Sequence, residues 1–260
     1  MSECKVITVS SSKGGIGKST TIQNVGVILS QLGKKVLCVD TDEQGHLSIT
    51  FGIKDLELLP MTIVNLFDKV IKQESLTKEL VKSAIINTGT VDVLPSSFLL
   101  NRLEYALNSI NDREYALADI LAFIKPDYDV ILIDTNSSRN IFTINALTCS
   151  DSVILPCQTQ FLSSGAIELM CSTIQSIKKR INPNLKIEGI LPTMYQNTNQ
   201  SKNTLEFVKS EFGNLVYSTV IPMSTRVADA QSKGMSVVEY DKSNPVSLAY
   251  KEFVTKELVA

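Results

Sequence analysis

The sequence predicts an α/β fold: a mostly parallel, twisted sheet with helices on both faces. Two observations predict it. Runs such as Lys35–Asp40 and Tyr128–Asp134 (YDVILID) are apolar at nearly every position, as strands buried on both faces must be. These runs alternate along the chain with segments of helical spacing, and such alternation favours parallel strands joined by crossover helices.

The elements follow in order. Lys5–Val9 is the first strand, and Ser19–Leu32 is a helix that stops at Gly33, a C-cap signal. Lys35–Asp40 is the second strand. Thr62–Val70 and Leu76–Ser83 read as helices, Val91–Leu94 as a strand, and Leu99–Asn108 and Arg113–Ile124 as helices. Tyr128–Asp134 has the composition of a central strand. Ser152–Pro156 is another, followed by a helix over Gly165–Ile181. Leu185–Tyr195, Val216–Ile221 and Ser236–Glu239 are the remaining expected strands, with helices at Asn203–Phe212, Thr225–Lys233 and Pro245–Leu258. No repeat, low-complexity tract or Gly/Pro/Ser-rich linker interrupts this pattern, so one domain over residues 1–260 is expected. In such sheets ligands sit beyond the carboxyl ends of the strands, here just after Val9, Asp40, Asp134, Pro156 and Ile221.

Composition narrows the function. Of the 260 residues, 43% are hydrophobic and 20% charged, which excludes a disordered or fibrous chain. No apolar run approaches the roughly 18 residues of a membrane span, and the start, MSECKVITVSSSKGG, lacks a signal-peptide core. A cytoplasmic protein is expected. The net charge of −2 argues against nucleic-acid binding by the chain as a whole. Cys4, Cys38, Cys149, Cys157 and Cys171 are odd in number and form no CxxC pair, so free thiols are expected rather than a disulfide framework or a zinc site. His46 is the single histidine, and no nucleophile elbow accompanies it, which sets a hydrolase triad aside.

After the first strand comes Ser12-Lys13-Gly14-Gly15-Ile16-Gly17-Lys18-Ser19-Thr20. A run of backbone N–H groups ahead of a helix N-terminus cradles phosphate oxygens, and glycines let the backbone come close. Lys18 would reach the terminal phosphates and Ser19 would hold Mg²⁺. The strict GxxxxGK[ST] pattern is not met, because Ser12 occupies its first glycine position and a second lysine, Lys13, is present. Asp134 closes one strand, where a carboxylate can contact Mg²⁺ through water. Asp40 and Asp42 stand at the end of another strand, in VDTDEQG.

KGGIGKST, VLCVDTDEQG and YDVILIDT together resemble the deviant Walker-A ATPases of the ParA/MinD group, a P-loop NTPase fold. The similarity continues through VDVLPSS, TINALTCSDSVILP, GILPTMY and TVIPMSTRVADAQSKGMSVVEYD. It matches ParA-type DNA partition ATPases best, in the short form without an N-terminal winged helix. The resemblance implies ATP and Mg²⁺ as ligands and a face-to-face ATP-bound homodimer. Lys13 would reach across to the partner's nucleotide and Lys18 would hold the phosphates of its own. Ser19 would ligate Mg²⁺, with Asp134 and Asp40 close by, and Asp42 would orient the attacking water. Gly14, Gly15, Ile16, Gly17 and Thr20 complete the loop, and Pro222 and Ser224 match positions near the adenine. A cation brought in trans stabilises the phosphoryl-transfer transition state by roughly 10³–10⁵ in rate.

The resemblance further implies binding of nonspecific DNA, stimulation by a centromere-binding ParB-like partner, and association with the nucleoid. Residues 1–177 carry 14 basic and 19 acidic side chains (net −5), and residues 178–260 carry 11 and 8 (net +3). Lys178, Lys179, Arg180, Lys202, Arg226 and Lys233 are the candidate DNA phosphate contacts. The chain departs from the family pattern at Met223, at Asn197–Gln200, at Asn136-Ser137 and at Glu43 and His46. A MinD-like membrane-surface ATPase is the alternative, and it needs a basic amphipathic tail. In SLAYKEFVTKELVA the lysines Lys251 and Lys256 are balanced by Glu252 and Glu257, so the tail is expected to pack on the domain and no membrane is expected as a partner. A third reading is a nucleotide switch that positions a non-DNA cargo.

Overall fold

The computed structural model describes residues 4–159 and 164–258. Among them seven strands form one sheet: β1 (Lys5–Val9), β2 (Val36–Asp40), β3 (Ile86–Asn87), β4 (Asp92–Leu94), β5 (Val130–Asp134), β6 (Ser152–Gln158) and β7 (Lys186–Thr193). Their order is β3-β4-β2-β5-β1-β6-β7, and every pair is parallel except β3 with β4. The helices are α1 (Lys18–Gln31), α2 (His46–Thr50), α3 (Ile63–Ile71), α4 (Lys78–Ser83), α5 (Glu104–Asn108), α6 (Ala116–Ala122), α7 (Ile141–Cys149), α8 (Ser164–Arg180), α9 (Asn199–Phe212), α10 (Arg226–Gln231), α11 (Val237–Tyr240) and α12 (Pro245–Phe253).

Side chains alternate across a strand, so a strand apolar at every position must be sandwiched. Val36 and Cys38 of β2 and Val130 and Leu132 of β5 pack with Ile22, Val25, Ile28 and Leu29 of α1 and with Tyr250 and Phe253 of α12. Leu37, Val39, Ile131 and Ile133 face the other way, onto Ile63, Leu66 and Phe67 of α3, Leu117 and Ile120 of α6, and Phe142 of α7. There the Phe67 and Phe142 rings meet edge to face at 5.3 Å. A third cluster joins Val153 and Leu155 of β6 and Ile190 of β7 to Ile167, Met170 and Ile174 of α8. Each such side chain contributes about 1.5–3 kcal/mol by leaving water.

Two expected strands are not strands. Ser236–Glu239 belongs to the helical turn α11. Ser236 and Glu239 form a reciprocal capping box there, which outweighs the strand preference of Val237-Val238. Val216–Ile221 runs beside β7 with only isolated bridges, Ile190 to Val216 and Tyr195 to Pro222. The N–H groups of Ser218 and Thr219 instead donate to the Glu257 carboxylate at 2.9 and 2.8 Å, and Pro222 has no N–H to offer a ladder. Leu99–Asn108 and Arg113–Ile124 each open as a 3-10 turn before α5 and α6. The expected C-terminal helix ends its regular part at Phe253 and continues as a wider π turn over Val254–Leu258. Helices α2 and α7 and strand β3 are additions; α7 is buried on nearly all sides and so carries no amphipathic stripe to read.

The parallel register pairs Val9 with Asp134 and Asp40 with Asp134. The loops after β1, β2 and β5 therefore open at one end of the sheet. Gly52, just past α2, and Gly234, between α10 and α11, both adopt left-handed φ values of 79° and 68°. Their backbones touch: a Cβ on Gly234 would lie 2.6 Å from the Gly52 Cα. Gly234→Ala should therefore lower stability by about 2–4 kcal/mol, the sum of left-handed strain and overpacking, read as a lower urea midpoint at unchanged slope.

Candidate functional site

The chain leaves β1 at Val9 and enters α1 at Lys18. Gly17 stands at the N-cap with φ 89°, and no side chain caps the helix. The first N–H groups of α1 have no intrahelical acceptor and open onto a cleft of about 400 Å³. Gly14, Gly15, Ile16, Gly17, Lys18, Ser19 and Thr20 form one wall, and Asp42, Glu43, Asn136 and Ser137 contribute to the other. The loop is pinned from behind: the buried Ile16 offers its carbonyl to Thr193 Oγ1 at 3.0 Å, and Ser12 Oγ donates to the Ala166 carbonyl at 2.9 Å.

Lys18 is 8% exposed, and its ammonium makes no hydrogen bond or ion pair with the described residues. A buried cation without an acceptor suits an anionic ligand. Lys13 points elsewhere. Its Nζ donates to Gln158 Oε1 at 3.1 Å, and it lines a small hollow beside the end of β6 rather than the cleft.

Ser19 Oγ donates to Asp134 Oδ2 at 2.5 Å, while the buried Oδ1 has no partner among the described residues. Burial, and then the neighbouring Asp40 charge, push the Asp134 carboxyl well above the usual carboxylate range, opposed by Ser19 and Lys18. Asp40 is pushed up to about 6, chiefly by burial and against the hydrogen bonds it accepts. Asp40, which the sequence places near the metal together with Asp134, is held by hydrogen bonds from the residues that follow it. Its Oδ1 accepts from the Asp42 N–H at 3.1 Å, and its Oδ2 accepts from the Ser48 N–H and hydroxyl at 2.9 and 2.7 Å. The strand register aims it at α2, and it does not line the cleft. Asp42 does line it: Oδ1 accepts from the Gln44 N–H at 3.0 Å, and Oδ2 lies 3.7 Å from His46 Nδ1.

Among the described residues no group of three or more His, Cys, Asp or Glu side chains could hold a metal ion. A cation here would take most of its ligands from phosphate and water, as Mg²⁺ does. Ser19 and the unpartnered Asp134 Oδ1 fit that role. A second cavity of about 230 Å³ shares Gly17, Thr20, Met194 and Gln231 with the cleft and continues past Pro222, Ser224, Ile221 and Tyr250. It is mainly apolar in lining and suits a flat ring.

Three contributors gave no sequence signal because they are far apart in the chain. Thr193 ties the phosphate loop to β7. Gln231 Nε2 donates to Thr20 Oγ1 at 3.0 Å. Met194, at the junction of the cavities, takes a left-handed φ of 54°, a strained conformation for its residue type. Glu43 and Asn136 stood out only as departures from the family pattern, and nothing in the sequence paired them.

The six candidate DNA cations do not gather on one surface. Helix α8 runs back from the carboxyl end of β6 towards the amino end of β7, so Lys178, Lys179 and Arg180 lie at the opposite end of the sheet from the cleft, on the last turn of α8. Lys202 lies in the first turn of α9, which leaves the carboxyl end of β7. Arg226 pairs with Asp229 and Asp241 at 3.5 and 3.9 Å, and Lys233 sits 4.7 Å from the Tyr240 ring centroid.

The family described as an AAA domain matches residues 4–187. The sporulation initiation inhibitor protein Soj of Bacillus subtilis is 34% identical, with 98% of each chain covered. The chromosome partitioning protein ParA of Caulobacter vibrioides is 33% identical over 97% of this chain and 95% of its own. Among solved structures, a cobyrinic acid a,c-diamide synthase from Mycobacterium smegmatis with bound ATP analog and magnesium superimposes with a TM-score of 0.81 at 30% identity, covering 96% of this chain and 92% of that one.

The carboxylate pair has a measurable consequence. A carboxyl raised by folding weakens the fold as pH climbs from its ordinary value of about 4 through its folded value. The cost of Asp40 and Asp134 therefore appears above about pH 4 and is fully developed only beyond the raised values. In the ligand-free protein Asp134→Asn should stabilise the fold at alkaline pH, with the gain shrinking as pH falls and vanishing near pH 4, as urea unfolding across that range would register.

Proposed function

This chain belongs to the family of ParA-type partition ATPases, and we propose that it binds and slowly hydrolyses ATP to drive the segregation of DNA cargo. The observation that carries the reading is the buried, acceptor-free Lys18 beside an uncapped helix and the unpartnered Asp134 Oδ1. The triphosphate would lie along Gly14–Thr20, where Lys18 and the backbone N–H groups neutralise it. The base would enter the cavity beside Pro222 and Ser224. Ser19 and Asp134 would hold Mg²⁺, which supplies charge neutralisation to the phosphates. Asp42 would orient the attacking water, and Asp40 would keep the Asp42 segment in place.

Lys13 faces away from its own cleft, which suits a lysine that completes the site of a second copy across a face-to-face homodimer. Pairing would thus gate hydrolysis. The ATP-bound pair would hold nonspecific DNA at the nucleoid, and a centromere-binding ParB-like protein would stimulate hydrolysis and release. The separation of the six cations argues that Lys202, Arg226 and Lys233 on one side and Lys178–Arg180 on the other contact DNA only as parts of a wider dimer surface. A membrane reading has less support. No helix among the described residues is long and apolar enough to cross a membrane. Tyr250, Phe253, Val254 and Leu258 of the tail are buried in the core.

Lys18→Ala should weaken ATP binding at least about 30-fold. Asp42→Ala should bind ATP within a few-fold of the parent yet hydrolyse it roughly 100-fold more slowly. Fluorescent-nucleotide titration and phosphate release separate the two, and normal ATP affinity in the Lys18 variant would refute the loop assignment.

Retention on nonspecific DNA, run beside retention on anionic liposomes, tests the cargo. DNA binding should require ATP and fall roughly 10–100-fold between about 50 and 200 mM salt. ATP-dependent retention on liposomes instead would favour the membrane alternative.

A further inference from the structure

The loops that follow β2 and β5 are tied to each other across the mouth of the cleft. Asn136 Nδ2 donates to Glu43 Oε2 at 2.8 Å, and both side chains line the cleft. Asn136 is 5% exposed, and the other end of its amide is already occupied. Its Oδ1 accepts from the Ser138 N–H, the Ser138 hydroxyl and the Thr143 hydroxyl at 3.1, 3.0 and 3.2 Å. With three donors on the oxygen, the network leaves only the NH₂ group to meet the β2 loop. Glu43 adjoins Asp42, whose own N–H and Oδ1 are engaged by Asp40 and Gln44. The pull of Asn136 on Glu43 therefore reaches Asp42 through one peptide unit. The phosphate-facing groups, Gly14–Thr20 and Lys18, take no part in this contact.

We propose that the Glu43–Asn136 hydrogen bond is a latch that positions Asp42 for hydrolysis, so that the two side chains set the rate of cleavage rather than the affinity for nucleotide. The proposal rests on the reading of Asp42 as the residue that orients water. Glu43 and Asn136 are positioning residues, since neither needs to touch the reacting atoms. The bond is charge-assisted and half-buried, the class whose loss is felt most.

Reversing the polarity of the pair tests this. Asn136→Asp keeps an oxygen for Ser138 and Thr143 but turns a carboxylate towards Glu43, which breaks the latch. Glu43→Ala breaks it from the more exposed side, with little packing to lose. Glu43→Gln keeps an acceptor, and the double variant Asn136→Asp/Glu43→Gln rebuilds the bond with donor and acceptor exchanged. ATP hydrolysis gives kcat and KM, and deuterium exchange over residues 41–47 of the nucleotide-free chain reports the latch without turnover. Asn136→Asp and Glu43→Ala should each lower kcat about tenfold with KM within about twofold, and should speed exchange in that segment. The double variant should recover kcat to within about threefold of the parent and regain the protection.

A double variant as slow as Asn136→Asp, a rise in KM with kcat intact, or unchanged exchange in both single variants would each overturn the latch. A parent that hydrolyses no ATP would instead bring down the ATPase reading, and the rate-setting role with it, while the exchange measurement would still show whether the two loops are tied.

Discussion

Two carboxylates at the ends of neighbouring strands, Asp40 and Asp134, are the constraint around which the site is built. The parallel register of β2 and β5 places them side by side, and both are fully buried. Like charges in so dry a place repel, and burial alone already disfavours ionisation. The surroundings answer each carboxylate differently. Asp40 is satisfied by three donors, the Asp42 N–H in the loop that follows it and the Ser48 N–H and hydroxyl in α2. Asp134 has one donor, Ser19, the charge of Lys18 nearby, and one oxygen left without a partner. Stability is therefore withheld at the point where a cation and an anionic ligand would restore it, an arrangement typical of sites that trade stability for function.

The same carboxylates organise the chain around the cleft. By accepting from Ser48, Asp40 fixes the start of α2. Thr41 Oγ1 donates to the Asp134 carbonyl at 2.5 Å, which binds the β2 loop to β5 a second time. Past α2, the Gly52–Gly234 contact carries the chain's position to the loop between α10 and α11, and Gln231 of α10 reaches back to Thr20 at the start of α1. A closed ring of contacts thus runs from the phosphate loop through the Asp42 segment to the wall of the second cavity. The ring joins Asp42 to the wall of the second cavity.

Much of the fold is legible in the residues, for a plain reason. Central strands are buried on both faces and must be apolar throughout, so Lys5–Val9, Lys35–Asp40 and Tyr128–Asp134 stand out without any knowledge of their neighbours. The phosphate loop is legible because close backbone approach needs glycine and phosphate needs lysine, within a few consecutive residues. Legibility fails where a segment's partner is distant. Val237-Val238 has the residues of a strand, yet a capping box and the packing of α12 make it helical. Val216–Ile221 lies along β7, but the Glu257 side chain takes two of its N–H groups. Ile141–Cys149 is a helix hidden by its own burial, since a helix enclosed on all sides loses its polar stripe.

The sequence by itself determined the layered sheet, the loop at residues 13–19 and the acids at strand ends, because these depend on local geometry and on burial that every position must satisfy. Only the tertiary structure decided what surrounds each acid. Asp40 and Asp134 look alike in sequence, each an aspartate closing an apolar strand. What surrounds them differs: the turn of the β2 loop brings Ser48 and the Asp42 N–H onto one, while the other is left with an oxygen facing no donor. The pairing of Glu43 with Asn136 and the turning of Lys13 away from its own cleft are settled the same way, by contacts between residues more than ninety positions apart that no local pattern encodes.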